Sequence, residues 1–194
     1  MILGVLGLQG AVREHVRSLV RLDVETQVVK NRRDLDGLDG LILPGGESST
    51  ISLLAEGGIL ERLREMAREG FPMFGTCAGM ILLAAETEGQ PESGIGAIDI
   101  GISRNASGRQ VDSFETTLSV DGIGEDLPAV FIRAPYVTRI GGGVRPMASY
   151  DGHVVMAREG NVLVASFHPE LTEDLRVHRY FVEKIVGNGK EEGK

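Results

Sequence analysis

The stretch FPMFGTCAGMILLAA, Phe71 to Ala85, holds the only cysteine in a chain of 194 residues. A short apolar segment leads into Gly75-Thr76-Cys77-Ala78-Gly79, and a second apolar segment of helical composition follows with no loop between them. A strand that turns directly into a helix is a building unit of α/β folds. The spacing Gly-x-Cys-x-Gly is the cysteine form of a nucleophile elbow, a sharp and strained turn that lifts one side chain above the sheet edge. Side chains at the two glycine positions would collide with the neighbouring strand and helix. A helix start favours the thiolate, and the Ala78 N–H points towards an oxyanion formed by attack of the sulfur. A buried structural cysteine is the alternative that a lone thiol leaves open.

Outward from this turn the chain alternates strands and helices. ILGVLGL (Ile2 to Leu8) reads as a strand buried on both faces. AVREHVRSLVRL spaces Val12, Val16, Leu19 and Val20 at helical intervals. VETQVVK and DGLILPGG read as two further strands, the second stopped at Pro44. Ser48 to Arg68 is helical, broken at Gly57-Gly58; FPMFG is a fourth strand and AGMILLAAE a helix. This rhythm predicts a parallel sheet with crossover helices. GAIDIGISRN, SFETTLSV, PAVFIRAPYVTRI, VVMARE and NVLVASF are short strand-like runs that add mixed or antiparallel sheet. TEDLRVHRYFVEKIV, opened by an N-cap-like Thr and Asp, is a closing helix. The expectation is one α/β domain over residues 1–187, with a flexible tail at 188–194.

Composition narrows the function. A net charge of −8 argues against nucleic acid as a main partner. One cysteine excludes an intrachain disulfide framework and a Cys-based zinc site, and it suits a reducing compartment. No basic leader with a cleavage pattern opens the chain, and no apolar run nears the roughly 18 residues that span a bilayer. A cytoplasmic protein is expected, without membrane association.

A nucleophilic thiol needs a base, and the chain has four histidines. His15 and His178 fall inside the first and last helices, and His153 follows an Asp-Gly turn. His168 stands in LVASFHPEL, after a buried strand and at the sheet end where sites of such folds gather. Glu170 can turn back to the imidazole and present its other nitrogen to the thiol. His-Pro-Glu also serves as a plain strand-ending turn. Pro44-Gly45-Gly46 forms a loop whose N–H groups can face a ligand, and Glu47 and Ser48 begin the next helix; a turn with a helix cap has the same sequence.

Together, strand-PGG, Gly-x-Cys-x-Gly and HPE resemble the class I glutamine amidotransferases, glutaminases of flavodoxin-like, three-layer fold. LGLQGAVREH, LPGGESST, FGTCAGMILLA, GRQVDSFE and FIRAP look like the glutaminase subunits of pyridoxal 5′-phosphate synthases, and the likeness runs from residue 2 to about 186. The resemblance implies a Cys77-His168-Glu170 triad that hydrolyses L-glutamine to glutamate and ammonia through a thioester. It implies an oxyanion hole from Ala78 and Gly46, and glutamine held by Gly46, Glu47, Ser48, Arg104, Ile132 and Arg133. Either arginine alone reads first as a surface ion pair, although a guanidinium suits a carboxylate. No metal or cofactor is implied.

The implied partner is a pyridoxal 5′-phosphate synthase subunit that accepts the ammonia, in a large hetero-oligomer; Gln9 and the LQGAVREH helix are candidate contacts. A Gly-Gly peptide flips at little steric cost, so the free protein is expected to be nearly idle until its partner docks. Three other readings stay open at this level: a related glutaminase such as that of imidazole glycerol phosphate synthase, a peptidase-type cysteine hydrolase, and a non-catalytic binding module.

Overall fold

Strands buried on both faces need apolar side chains at successive positions, and the alternation of their side chains then feeds two separate cores. The computed structural model describes residues 1–7, 10–46, 58–89, 94–103 and 113–188, and its strands follow this rule. They are β1 (Ile2–Leu6), β2 (Glu25–Val29), β3 (Gly40–Leu43), β4 (Met73–Thr76), β5 (Ala84–Thr87) and β6 (Ile98–Ser103). β7 (Phe114–Val120), β8 (Gly124–Phe131), β9 (Tyr136–Ile140), β10 (Arg145–Tyr150), β11 (His153–Glu159) and β12 (Val162–Ala165) complete the set. The helices are α1 (Val12–Val20), α2 (Ile59–Arg68), α3 (Ala78–Leu83) and α4 (Arg176–Tyr180), the last widening into a π-helical turn over Phe181–Val186.

The main sheet has seven strands in the order β10-β11-β12-β4-β3-β1-β2. Five of them, from β12 to β2, run parallel, and the β10–β11 hairpin adds two antiparallel strands at one edge. On β3, Leu41 and Leu43 enter one core and Ile42 the other; on β12, Val162 and Val164 oppose Leu163 and Ala165. One core is closed by α2, α3 and a small β5-β6-β9 sheet, the other by α1, α4 with its π-turn, and the β7–β8 hairpin. The result is a three-layer α/β fold with a mixed, mainly parallel central sheet, as the sequence predicts. Chain order reverses across β1, which pairs with β2 on one side and β3 on the other. Such a switch point opens a crevice beyond the strand ends.

The helix expected over AGMILLAAE stops at Leu83, and Ala84–Thr87 becomes β5. The cause is non-local: the Leu82 and Leu83 carbonyls accept the amides of Ile95 and Ala97 at 2.6 and 2.8 Å. PAVFIRAPYVTRI splits into β8 and β9 around a turn in which Arg133 has φ 46°. The closing helix starts at Arg176, because Asp174 accepts the Arg176 amide at 2.9 Å and holds the preceding residues in a turn. Val20 is 56% exposed, and the buried face of α1 runs through His15, Ser18 and Leu19. The Asp-Gly turn before His153 is as expected, with Asp151 at φ 48° and Gly152 at φ 77°. It joins β11 to β10, an edge strand with Pro146 inside it that the sequence pattern does not reveal. The expected tail, apart from Asn188, and the helical stretch over 48–57 lie outside the described residues.

Phe74 on β4 is fully buried and sits edge-on to the His15 and His178 rings, with Phe181 at 5.6 Å between centroids. Phe74→Ala is expected to destabilise the fold by about 3–5 kcal/mol, read as a lower urea midpoint at unchanged slope. A loss below ~1 kcal/mol would contradict this account of the core.

Candidate active site

Because β3, β4 and β12 are adjacent and parallel, their carboxyl ends bring Pro44–Gly46, Cys77 and His168 to one edge of the sheet. Cys77 has φ 48° and ψ −108°, a left-handed conformation that is strained for a residue with a Cβ. It is locked there from both sides. Its amide donates to the Ala165 carbonyl at 2.8 Å, and its carbonyl accepts from Ile81 of α3 at 3.3 Å. A Cβ on Gly75 would lie 2.6 Å from the Gly79 backbone, and a Cβ on Gly79 would land on the Leu43 carbonyl of β3. The two glycines therefore let helix and strands close around the turn. The half-buried thiol lies 3.8 Å from the Ile132 carbonyl oxygen.

His168 follows β12, its amide donating to the Val130 carbonyl at 2.8 Å, and Pro169 then forces a 3-10 turn that carries Glu170 back. The His168 Nδ1 to Glu170 Oε1 distance is 2.7 Å, and both residues are buried. With Nδ1 donating to the carboxylate, Nε2 remains for the thiol. Burial by itself would lower the His168 pKa. Hydrogen bonds to Cys77 and Glu170, and their charges, outweigh it and raise the value to about 10. At neutral pH the ring is held as an imidazolium, the state that stabilises a neighbouring thiolate.

These groups face a cavity of about 480 Å3 at the β1/β3 switch point. Gly46, Ala78, Ile132 and Arg133, all singled out in the sequence, line it. Ile132 and Arg133 arrive on the turn between β8 and β9. Gly45 is wedged in: a Cβ there would stand 2.8 Å from His168 Cε1 and 3.2 Å from Cys77 Cβ, and one on Gly10 would strike the Gly45 carbonyl. Gln9, Glu47, Ser48 and Arg104 lie outside the described residues. Gly10, Ala11, Ile81, Pro135 and Leu171 also line the cavity, none of them expected there from sequence. Gly10, at φ 90°, was the one with a usable signal, a glycine closing a strand. Sequence reasoning placed His15 only among candidate partner contacts, although it falls on the buried face of α1 and its Nε2 lies 3.5 Å from Glu170 Oε2.

A half-buried thiol at an elbow, a buried histidine and a carboxylate behind it lie together at the strand ends of an α/β sheet, an arrangement suited to nucleophilic attack by the sulfur. The chain belongs to the SNO glutamine amidotransferase family, whose model matches residues 5–187. It is 52% identical over 187 residues to the pyridoxal 5′-phosphate synthase subunit PdxT of Carboxydothermus hydrogenoformans, covering 95% of this chain and 98% of that protein. To the protein of the same name from Exiguobacterium sibiricum it is 56% identical, over 95% and 96% of the two chains. A crystal structure of a glutamine amidotransferase superposes with a TM-score of 0.90 at 48% identity, over 96% of this chain and all of that one. PurLQS from Thermotoga maritima, at 17% identity and a TM-score of 0.67 over 94% and 97% of the chains, shares the fold.

Two outcomes are expected. The His168 imidazole should titrate near pH 10 by NMR, and in Glu170→Gln, where burial meets less opposition, its midpoint should fall by about 2 units or more. An unchanged midpoint would separate the two side chains electrostatically. Gly79→Ala should destabilise by about 3 kcal/mol or more in chemical unfolding, because the obstruction is backbone and cannot swing away.

Proposed function

We propose that the protein is the glutaminase subunit of a pyridoxal 5′-phosphate synthase, hydrolysing L-glutamine and passing the ammonia to a synthase subunit. What carries the reading is the Cys77-His168-Glu170 alignment at the ends of the neighbouring strands β4 and β12 in a chain of this family. The Cys77 thiolate attacks the side-chain amide carbon, and the oxyanion takes hydrogen bonds from the Ala78 and Gly46 N–H groups. His168, oriented by Glu170, protonates the nitrogen; the C–N bond breaks and ammonia leaves a glutamyl thioester. His168 then takes a proton from water, whose oxygen attacks the thioester. Collapse releases glutamate and restores the thiolate–imidazolium pair.

Arg133, with Arg104, engages the carboxylate of glutamine, and Gly46, Glu47, Ser48 and Ile132 complete its site. The step needs no cofactor or metal. Residues 1–187 act as one domain, and the enzyme works in the cytoplasm. Ile132 and Leu171, 37% and 43% exposed beside the cavity, give the partner an apolar surface. Docking there orders the Gly45-Gly46 loop, so the free protein is nearly idle.

Glutamate release from glutamine, with and without the synthase subunit, tests the reading. Release should depend on the partner and fall at least about a thousandfold in Cys77→Ala. Release that needs Cys77 but ignores the partner would assign the ammonia to another acceptor. Release that survives in Cys77→Ala would remove the nucleophile from the scheme.

A further inference from the structure

Behind Glu170 lies a second set of buried polar groups that the reaction as written does not use. His15 of α1 and His178 of α4 are both fully buried, with His15 Nδ1 3.0 Å from His178 Nε2. The other nitrogen of His15, Nε2, stands 3.2 Å from the Thr76 hydroxyl and 3.5 Å from Glu170 Oε2. Among the described residues, Glu170 Oε2 and His178 Nδ1 are buried without a hydrogen-bond partner, and His15 Nε2 is a polar atom close to the first. The nitrogens face one another and do not converge on a point, and no three donors form a metal site among the described residues.

The proton positions follow from these contacts. Burial, then the nearby His178 and His168 charges, hold His15 well below the usual imidazole range, and burial holds His178 down to about 4. Each ring therefore carries one proton at neutral pH. If His15 carried it on Nδ1, a bare Nε2 lone pair would face the Glu170 carboxylate. His178 would then hold its proton on Nδ1 with nothing to receive it, a buried donor left unpaired. The reverse assignment removes both faults: His178 Nε2–H donates to His15 Nδ1, and His15 Nε2–H is shared between Thr76 Oγ1 and Glu170 Oε2. Only an unused acceptor, His178 Nδ1, is left.

We infer that His15, fixed in its Nε2–H form by His178, is a positioning residue that holds the second oxygen of Glu170 and so aims the first at His168. The inference rests on the triad proposed above. Donors then reach the carboxylate from both sides, His168 on Oε1 and His15 on Oε2. This fixes the rotamer of the carboxylate.

Three measurements on the full chain test this. Imidazole 15N spectra should place the proton on Nε2 in both His15 and His178; a proton on His15 Nδ1 overturns the inference whatever the enzyme does. His15→Leu removes the donor, whereas His15→Gln keeps an N–H where Nε2 was. In His15→Leu the low-pH limb of Cys77 alkylation by iodoacetamide should move up by about one unit, as the imidazolium loses support through Glu170. With the synthase subunit present, kcat should fall about tenfold while KM stays within about twofold. His15→Gln should restore most of the limb and the rate, whichever variant melts higher. Identical behaviour of the two variants, or an unmoved alkylation limb in both, would reduce His15 to packing. Failure of the wild-type protein to release glutamate would count against the function proposed above, while the spectra and the alkylation profiles still judge His15.

Discussion

The approach of the Gly79 backbone to the Leu43 carbonyl is the contact on which the site depends. With no side chain between them, α3 lies directly on β3 and begins one residue after β4 ends. The chain has no room for a loop, so Cys77 takes the strain of the turn, and the Ala165 and Ile81 contacts hold it there. Since β4 lies between β3 and β12, the same contact sets the distance from the thiol to the Gly-Gly loop on one side and to His168 on the other. Neighbouring strands about 4.8 Å apart then bring loop, sulfur and imidazole within reach of a small substrate.

Three histidines share one buried region, yet only one is held charged. Burial lowers all three. His168 alone adds a carboxylate oxygen at 2.7 Å and the thiol beyond it, and these outweigh desolvation. His15 meets the same carboxylate at 3.5 Å and otherwise faces a hydroxyl and another imidazole, so it stays neutral. Among the described residues, burial alone sets the His178 shift. Among the described residues this region thus holds one cation beside one carboxylate, an arrangement that needs excellent geometry to persist away from water.

What was legible in the sequence is what local geometry dictates. The elbow is legible because strain, glycine and thiol must fall within five residues, and the His-Pro-Glu turn because carboxylate and imidazole are two apart. The two-sided strands show as apolar runs. Non-local causes leave no such trace: the end of α3 at Leu83 is set by amides more than ten residues later, and β10 is an edge strand with little to bury. His15 and His178 lie 163 residues apart, and nothing near either one announces the other. Ile132 and Arg133 drew attention through resemblance alone; the bend that carries them to the cavity follows from the positive φ at Arg133.

The thiol at the elbow has no second cysteine anywhere in the chain. Oxidation of Cys77 to a sulfenic acid would therefore meet no resolving partner within the molecule, and the next step, to a sulfinic acid, is irreversible in most proteins. Recovery falls to small thiols from solution, which must enter the cavity that Cys77 lines. A ligand that fills that cavity then also shields the sulfur from oxidants.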